Sequence, residues 1–455
     1  MRRSTVQILF LLGVGLVGAP LNAWAQSGGT LRGKISQLFI LGSGEDPLVL
    51  GGSVDPNNPA SIQAHGLHFV PSAVAENASM IGFITGAIAT SIGSIPIGST
   101  SSGVTFRFEG GVPVKTSTSA GPIFAERAQT LGRGRAVAGV GRNSFSFSTL
   151  RGVPMDNIEL IFTHQNVDSE GCDEANGGDC TLMGIPTLEN EIMPFRLNLD
   201  IDVTVTTFYV TYGITDRIDL GLVVPVVSTK MHGESTAQII PFGGPNAVHF
   251  FAGTPTNPVL SASRSVSGSS LGLGDVAVRT KIGVHNAEHS SLALLGEARF
   301  ATGSANDLLG AGGWAARGLA VLSGRIESFS PHLNVGYVYH SREDDRIWND
   351  AVLATIGFDH LMTEHVTIAA DLVTELQVGD SKLHLPGEVT FDTPFHRTIQ
   401  PTTIPDRRDD LVNGSLGFKF TMPRNFTLVA NALVPLNRGG MRPDIIYTTG
   451  LELSF

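Results

Sequence analysis

Cysteine is nearly missing from this chain, with two in 455 residues. That excludes a disulfide-built scaffold, a cysteine-rich zinc module and a thiolate-held iron–sulfur cluster. Charge is scarce as well: 16% of residues are charged, against about 25% in soluble proteins. What charge there is leans negative, with 30 Lys and Arg against 41 Asp and Glu and a formal net charge of -11. Nothing in that balance neutralises phosphates in bulk, so nucleic acid is excluded as a partner. The sequence contains no GxSxG elbow, no HExxH and no P-loop, and His164, His332, His340, His360, His365 and His396 are scattered over turns and strands and read as having no metal-ligand spacing. No catalytic residue, cofactor or enzyme activity is therefore assigned.

Long hydrophobic runs are also few. The apolar stretch Ile8–Leu21 spans 14 residues, short of the ~20 that a spanning helix needs. Arg2 and Arg3 precede it, and Ala23–Trp24–Ala25 follows as a small-x-small cleavage site. Residues 1–25 thus read as a cleaved export signal. The uncharged stretch Met80–Ile97 is broken by Gly, Ser, Thr and Pro96, and is expected as a buried amphipathic helix leading into turns rather than as a membrane span.

What the chain has in quantity is glycine, 54 residues, and period-two alternation, the mark of strands whose side chains point to opposite faces. Leu197, Leu199, Ile201, Val203 and Val205 alternate with Asn198, Asp200, Asp202, Thr204 and Thr206. Leu416, Phe418 and Phe420 alternate with Ser415, Gly417 and Lys419, and the chain ends on an alternating strand closed by Phe455. The segments 134–148, 197–212, 217–228, 271–284, 290–302, 313–323, 329–340, 350–359, 366–378, 412–421, 425–436 and 446–455 read as twelve strands. Tight connections (213–216, 285–289, 324–328, 361–365 and 422–425) take turns with long ones, as in an outer-membrane barrel with short periplasmic turns and long external loops. A short hairpin at Val104–Phe108 and Val112–Lys115 makes fourteen the other even count. The fold class expected is all-β: a transmembrane antiparallel β-barrel over residues 102–455, in the bacterial outer membrane, with outer-membrane lipid around it. A secreted β-sandwich is the rival. Its strands also alternate, but usually run to 5 or 6 residues, whereas these often run to 10 to 15.

With the Leu/Ile/Val/Phe rows facing lipid, the opposite rows place Asp200, Asp202, Arg279, Lys281, Glu297, Arg299, Asp371, Glu375, Lys419 and Glu452 in the lumen. So many ions on an inner face require water, pairing or both. Pairing that braces the wall and a transport role are both open readings. Residues 26–101 lack strand pattern, look helical near Ile35–Leu41 and Ser72–Ser91, and are expected as a partly helical plug of the lumen, with a periplasmic appendage as the rival. Glu126 and Arg127 are expected to anchor the junction between that plug and the wall through a charged pair. Residues 156–191 hold nine acidic residues and no Lys or Arg. Cys172 and Cys180 in this stretch are expected to form a disulfide, since an exported chain meets an oxidising compartment. Asp168, Asp173 and Asp179 invite a calcium reading, but their spacing does not match an EF-hand loop, and a solvated acidic loop is preferred.

Several stretches resemble the outer-membrane "meta-pathway of phenol degradation" family of β-barrel transporters: GPIFAERAQTLGRGRAVAGVG (121–141), YGITDRIDLGLVVPVV (212–227), GLGDVAVRTKIGV (272–284) and GEARFATGSANDLLGAGG (296–313). A Pro-Thr-Gly of that family stands here as Ala301–Thr302–Gly303. In outline the chain is similar to the long-chain fatty acid outer-membrane transporters. The resemblance implies passive passage of a small hydrophobic or aromatic solute past an N-terminal hatch. Phe455, closing an alternating strand as in bacterial outer-membrane barrels generally, is expected to be read by the barrel assembly machinery. A general diffusion porin and a non-conducting structural or adhesive barrel are the alternatives.

Overall fold

A computed structural model describes residues 29–42, 82–88, 91–92, 106–109, 112–115, 119–163, 192–240, 250–254, 256–341, 349–382, 385, 388–391 and 396–455. Twelve strands pair in sequence order and close into an antiparallel barrel. They are β1 (Ala136–Leu150), β2 (Ile192–Gly213), β3 (Ile218–Gln238), β4 (Ser261–Leu273 and Ala277–Asn286), β5 (Ser290–Arg299) and β6 (Ala315–Gly324). The circuit continues with β7 (Phe329–His340), β8 (Ala351–Thr363), β9 (Val366–Gln377), β10 (Leu411–Met422), β11 (Phe426–Pro435) and β12 (Ile446–Ser454). Closure runs along the β12–β1 ladder from Tyr447↔Ser144 to Ser454↔Val137, and Phe455 exchanges both backbone bonds with Ala136. An open edge in lipid would strand backbone N–H and C=O groups, which is why the sheet closes. The hairpin Phe106–Glu109/Val112–Lys115 forms a separate two-stranded sheet, so the wall has twelve strands and not fourteen.

The tight connections all lie at one end. That between β10 and β11 places Arg424 and Asn425 at φ 67 and 61, the left-handed conformation that reverses a hairpin in few residues. The outward rows are apolar and exposed, among them Leu220, Ile282, Leu294, Leu322, Val335, Ile356, Leu416 and Leu428. Trp314, Tyr337, Tyr339 and Tyr447 stand outward near the long-loop end, and Tyr212, Phe420 and Phe455 near the tight-turn end. These are the two aromatic girdles that flank the apolar band of an outer-membrane barrel. No helix among the described residues is long and apolar enough to cross a membrane; this barrel crosses with strands.

β2 and β3 are far longer than the wall. At about 3.3 Å per residue, the 22 residues of β2 outrun the ~25 Å apolar band even when tilted. Beyond Val223, β3 leaves the first turn-side half of β4 and pairs instead with Ser261–Leu273. The result is a sheet standing above the rim. Its inner-face side carries Phe195, Leu197, Leu199, Ile201, Val203 and Met231, all buried. The helix α1 (Leu31–Gln37), capped by Thr30 accepting from Gly33 N–H, packs there, outside the closed barrel. Leu31 lies against Gly268 and Leu38 against Gly233. Phe39 stacks on Phe195 with centroids 4.8 Å apart and meets Phe162 edge-on at 6.3 Å.

This packing corrects two lumen assignments. Asp200 and Asp202 alternate with the buried row and are exposed on the outward face of the extension. Alternation marks two unlike faces without saying which is inside, and here the apolar face meets the N-terminal segment instead of lipid. The signal at 1–25, the pair Cys172 and Cys180, and the acids Asp168, Asp173 and Asp179 lie outside the described residues.

The assignment of faces predicts an asymmetry between two arginine substitutions. Leu294→Arg, on the lipid side of the closed wall, is expected to cost about 2–4 kcal/mol, whereas Asp200→Arg costs nothing measurable. Urea unfolding of the refolded barrel in lipid vesicles, followed by loss of heat-modifiable mobility on SDS gels, reads both.

Candidate functional site

Inside the wall the inward rows turn polar, and a segment with no strand pairing runs along them. Residues 119–133 follow the inner wall from β9 to β3 as a strap. Its backbone has no ladder, so its N–H groups go to side chains. Ala120 N–H donates to Thr367 Oγ1 (2.9 Å), Phe124 N–H to Asp371 Oδ2 (3.0 Å) and Glu126 N–H to Asn334 Oδ1 (2.7 Å). Further along, Ala128 N–H donates to Ser323 Oγ (2.9 Å) and Leu131 N–H to Asp219 Oδ2 (3.0 Å). The last step reaches the β2–β3 turn, where Arg133 N–H meets Asp216 Oδ1 at 3.1 Å and Thr130 Oγ1 donates to the Asp216 carbonyl at 2.8 Å. At this turn a Cβ on Gly213 would sit 2.0 Å from the Gly132 carbonyl oxygen. Glycine is what lets strap and turn touch.

Two side-chain clusters fix the strap. In one, Arg127 Nη2 meets Asp359 Oδ2 at 3.1 Å, His332 Nε2 sits 2.6 Å from Asp359 Oδ1, and Ser119 Oγ also donates to Asp359. His332 Nδ1 is 2.9 Å from Ser323 Oγ. Serine, histidine and carboxylate in a row have the composition of a nucleophile, base and orienting acid. Here the strap occupies them: Ser323 Oγ accepts Ala128 N–H, Asp359 takes Arg127, and all three wall residues are buried. The row is an anchor.

The second cluster centres on Glu126 and Glu297. Glu126 takes Arg279 Nη1 at 3.4 Å and Lys281 Nζ at 3.2 Å. Glu297 takes Arg279 Nε at 2.5 Å, Arg317 Nη2 at 2.8 Å and Arg299 Nη2 at 3.4 Å. Arg279 and Glu297 are cross-strand partners on β4 and β5, and Glu297 faces Arg317 on β6. The ladder therefore sets this row before any side chain chooses a partner. On the facing wall, Lys419 pairs with Glu452 at 3.2 Å. The Tyr209 hydroxyl faces Glu452, and the Tyr209 ring lies on Gly139, where a Cβ would come within 2.4 Å of it.

The structure thus brings Arg279, Lys281, Glu297, Arg299, Asp371, Glu375, Lys419 and Glu452 to the inner face, with Glu126 and Arg127 buried among them. Above Phe124 and Glu126 lies a cavity of about 120 Å³, entered by Arg299, Arg317 and Glu375 and walled by Leu319 and Leu353. Arg317, His332, Asp359 and Arg151 are contributors that sequence reasoning passed over. Arg151 sits at φ 48 in the turn after β1, fully buried, with Nε and Nη2 each 2.8 Å from the Asp409 carboxylate and its guanidinium 4.9 Å over the Phe83 ring. It ties the first long-loop hairpin to residues 82–88 and to the chain before β10. An arginine next to a turn glycine gave a local signal, but its partner lies 258 positions away.

The motif glycines around 272–313 also find their reason. Asp275 accepts from Gly303 N–H at 3.0 Å and Ala311 N–H at 2.7 Å, and Thr302 Oγ1 donates to the Gly274 carbonyl at 2.6 Å. A Cβ on Gly310 would meet the Asp275 carboxylate at 2.6 Å. The interruption of β4 at 274–276 and the loop after β5 form one clamp at the rim, and Ala301 leaves that clamp intact.

No family model matches this chain, and no curated protein sequence matches it. Among solved structures it is similar to an outer-membrane channel from Pseudomonas putida F1, at 12% identity and a TM-score of 0.39 over 72% of this chain and 98% of that one. It is also similar to a Pseudomonas aeruginosa FadL homologue, at 10% identity and a TM-score of 0.29 over 70% and 89%. The translocator domain of the autotransporter NalP from Neisseria meningitidis matches at 8% identity and a TM-score of 0.26, over 71% and 89%.

The strap anchor gives a prediction on stability. Arg127→Ala leaves Asp359 buried without its cation and is expected to cost about 3–5 kcal/mol. Arg127→Ala combined with Asp359→Asn is expected to recover most of that loss. Denaturant unfolding of the two variants beside the parent measures the coupling, and equal losses in single and double variant would show that the pair does not hold the strap.

Proposed function

We propose that this outer-membrane barrel is a passive channel for small hydrophobic or aromatic compounds. The observation that carries the reading is the division of its interior. Above the rim, an apolar cluster of Phe39, Phe162 and Phe195 is buried between the N-terminal segment and the extension, and only displacement of that segment would open it to a solute of low polarity. Below it lies a cavity with polar and apolar walls, and then the strap.

In this reading the N-terminal segment 26–101 gates the mouth. α1 packs on the extension, and residues 82–88 bury Phe83, Ile84, Ala87 and Ile88. The strap 119–133 narrows the turn-side end. The solute partitions onto the aromatic cluster, moves to the cavity above Phe124 and leaves past the strap, driven by its own gradient. Phe455, at the seam, offers its side chain outward to the assembly machinery.

Conductance of the full-length mature protein in planar bilayers, beside a deletion of residues 26–101, tests this. The expected result is a small or gated conductance that rises severalfold in the deletion. A large steady conductance in both proteins would favour a diffusion porin. Silence from both, with a folded barrel shown first, would favour a structural barrel.

A further inference from the structure

On the outward face of β12, β1, β2 and β3 the side chains change character from one cross-strand row to the next. Leu451, Val140, Phe208 and Val224 make an apolar row across the four strands. One step toward the long loops the row becomes Thr449, Arg142, Thr206 and Val226, and the step after that is Tyr447, Ser144, Thr204 and Ser228. A further row holds Ser146, Asp202 and Lys230. The short hydroxyl side chains between Tyr447 and Lys230, with Asp444 at the edge, leave a hollow of about 490 Å³ on the outward face. Tyr447 belongs to the aromatic girdle at the long-loop end, which places the hollow at the depth of lipid headgroups.

Its charges are distinctive. Asp202 accepts from Ser146 Oγ, and Asp444 from Ser148 Oγ at 2.7 Å, so both carboxylates are held in place by serines. Arg142 and Lys230 are exposed, and neither has an ion pair within 4.0 Å among the described residues. An arginine directed outward next to an apolar row is disfavoured unless its head finds water or an anion at the interface.

We propose that this hollow seats the phosphorylated sugar headgroup of one glycolipid of the outer leaflet. A polar group at this depth has Val140 and Phe208 beneath it as a bed for acyl chains. The Tyr447 ring offers its face to the C–H side of a sugar ring. Ser144, Thr204, Ser228 and the two carboxylates meet the sugar hydroxyls, and Arg142 and Lys230 flank the hollow to take phosphate. The hollow has the volume of about sixteen waters, room for a sugar ring with its phosphate. A glycerol phosphate headgroup would answer the cations and leave most of the hydroxyls and both carboxylates without a partner. Binding here is independent of what the lumen carries.

The test is native mass spectrometry of the full-length mature protein in detergent, titrated separately with lipid A, phosphatidylglycerol and glucosamine 1-phosphate. One lipid A is expected to stay on each barrel at concentrations where the other two probes leave none. Arg142→Gln and Lys230→Gln are each expected to weaken that retention about fivefold. Thr204→Leu fills the hollow from the outward face and is expected to abolish retention while heat-modifiable mobility on SDS gels is kept. Arg196→Gln, further along the outward face of β2 and paired with Glu159, is expected to change nothing. Phosphatidylglycerol held as well as lipid A, retention surviving in Thr204→Leu, or an equal loss in Arg196→Gln would overturn the proposal. Glucosamine 1-phosphate bound as tightly as lipid A would overturn the membrane-lipid assignment in favour of a soluble sugar phosphate.

Discussion

A backbone amide inside a membrane barrel but outside a strand has no ladder and little water to turn to, so a wall side chain has to accept it. That constraint organises the interior. The strap's N–H groups end on Thr367, Asp371, Asn334, Ser323 and Asp219, and these acceptors sit on inward positions of β9, β7, β6 and β3. The polar inner rows are therefore more than a wet surface. They form a template that holds one extended segment in register along half of the circumference. The buried ions follow from the same placement, because Arg127 and Glu126 on the strap need counter-ions where they arrive, and Asp359, Arg279 and Lys281 are there to meet them.

The extension above the rim obeys a different rule. There the inner face is apolar and the outer face meets water, the reverse of the wall beneath. One continuous strand, β2, changes solvent along its length, from Thr207 and Thr211 in the polar lumen to Phe195 and Leu197 under α1. Period two runs through that change without a break. A soluble half-sandwich and a membrane wall thus share a single ladder, and α1 supplies the layer that lipid supplies lower down.

That continuity explains how much could be read in advance. The count of twelve strands, their order and the alternation of short and long connections were legible, because hairpin topology is local and alternation is strong in β5, β7, β9 and β10. The inward positions of Arg279, Glu297 and Lys419 were legible for the same reason. Asp200 and Asp202 were not, since their neighbours look the same whether the apolar row meets lipid or a helix. Arg317, His332, Asp359 and the Arg151–Asp409 pair were missed for other reasons. Arg317 lies opposite Glu297 in a hairpin register, and His332 and Asp359 sit on neighbouring strands, so register brings these pairs together. Arg127 reaches Asp359 only by the path of the strap, and Asp409 lies 258 positions from Arg151. Nothing in the local sequence distinguishes a pairing charge from a solvated one. The stretch at 121–131 has no periodicity at all, as befits a segment whose backbone N–H groups at 124, 126, 128 and 131 bond to wall side chains.

The cavity floor and the buried ion pairs both depend on the strap's attachment to the wall. Amide hydrogen exchange of the full-length protein in lipid nanodiscs measures it directly, peptide by peptide. Exchange over residues 120–131 as slow as in the flanking strand β1 is the predicted result. Exchange complete within seconds, as for an exposed loop, would mean that the segment does not rest on the wall and would contradict the account.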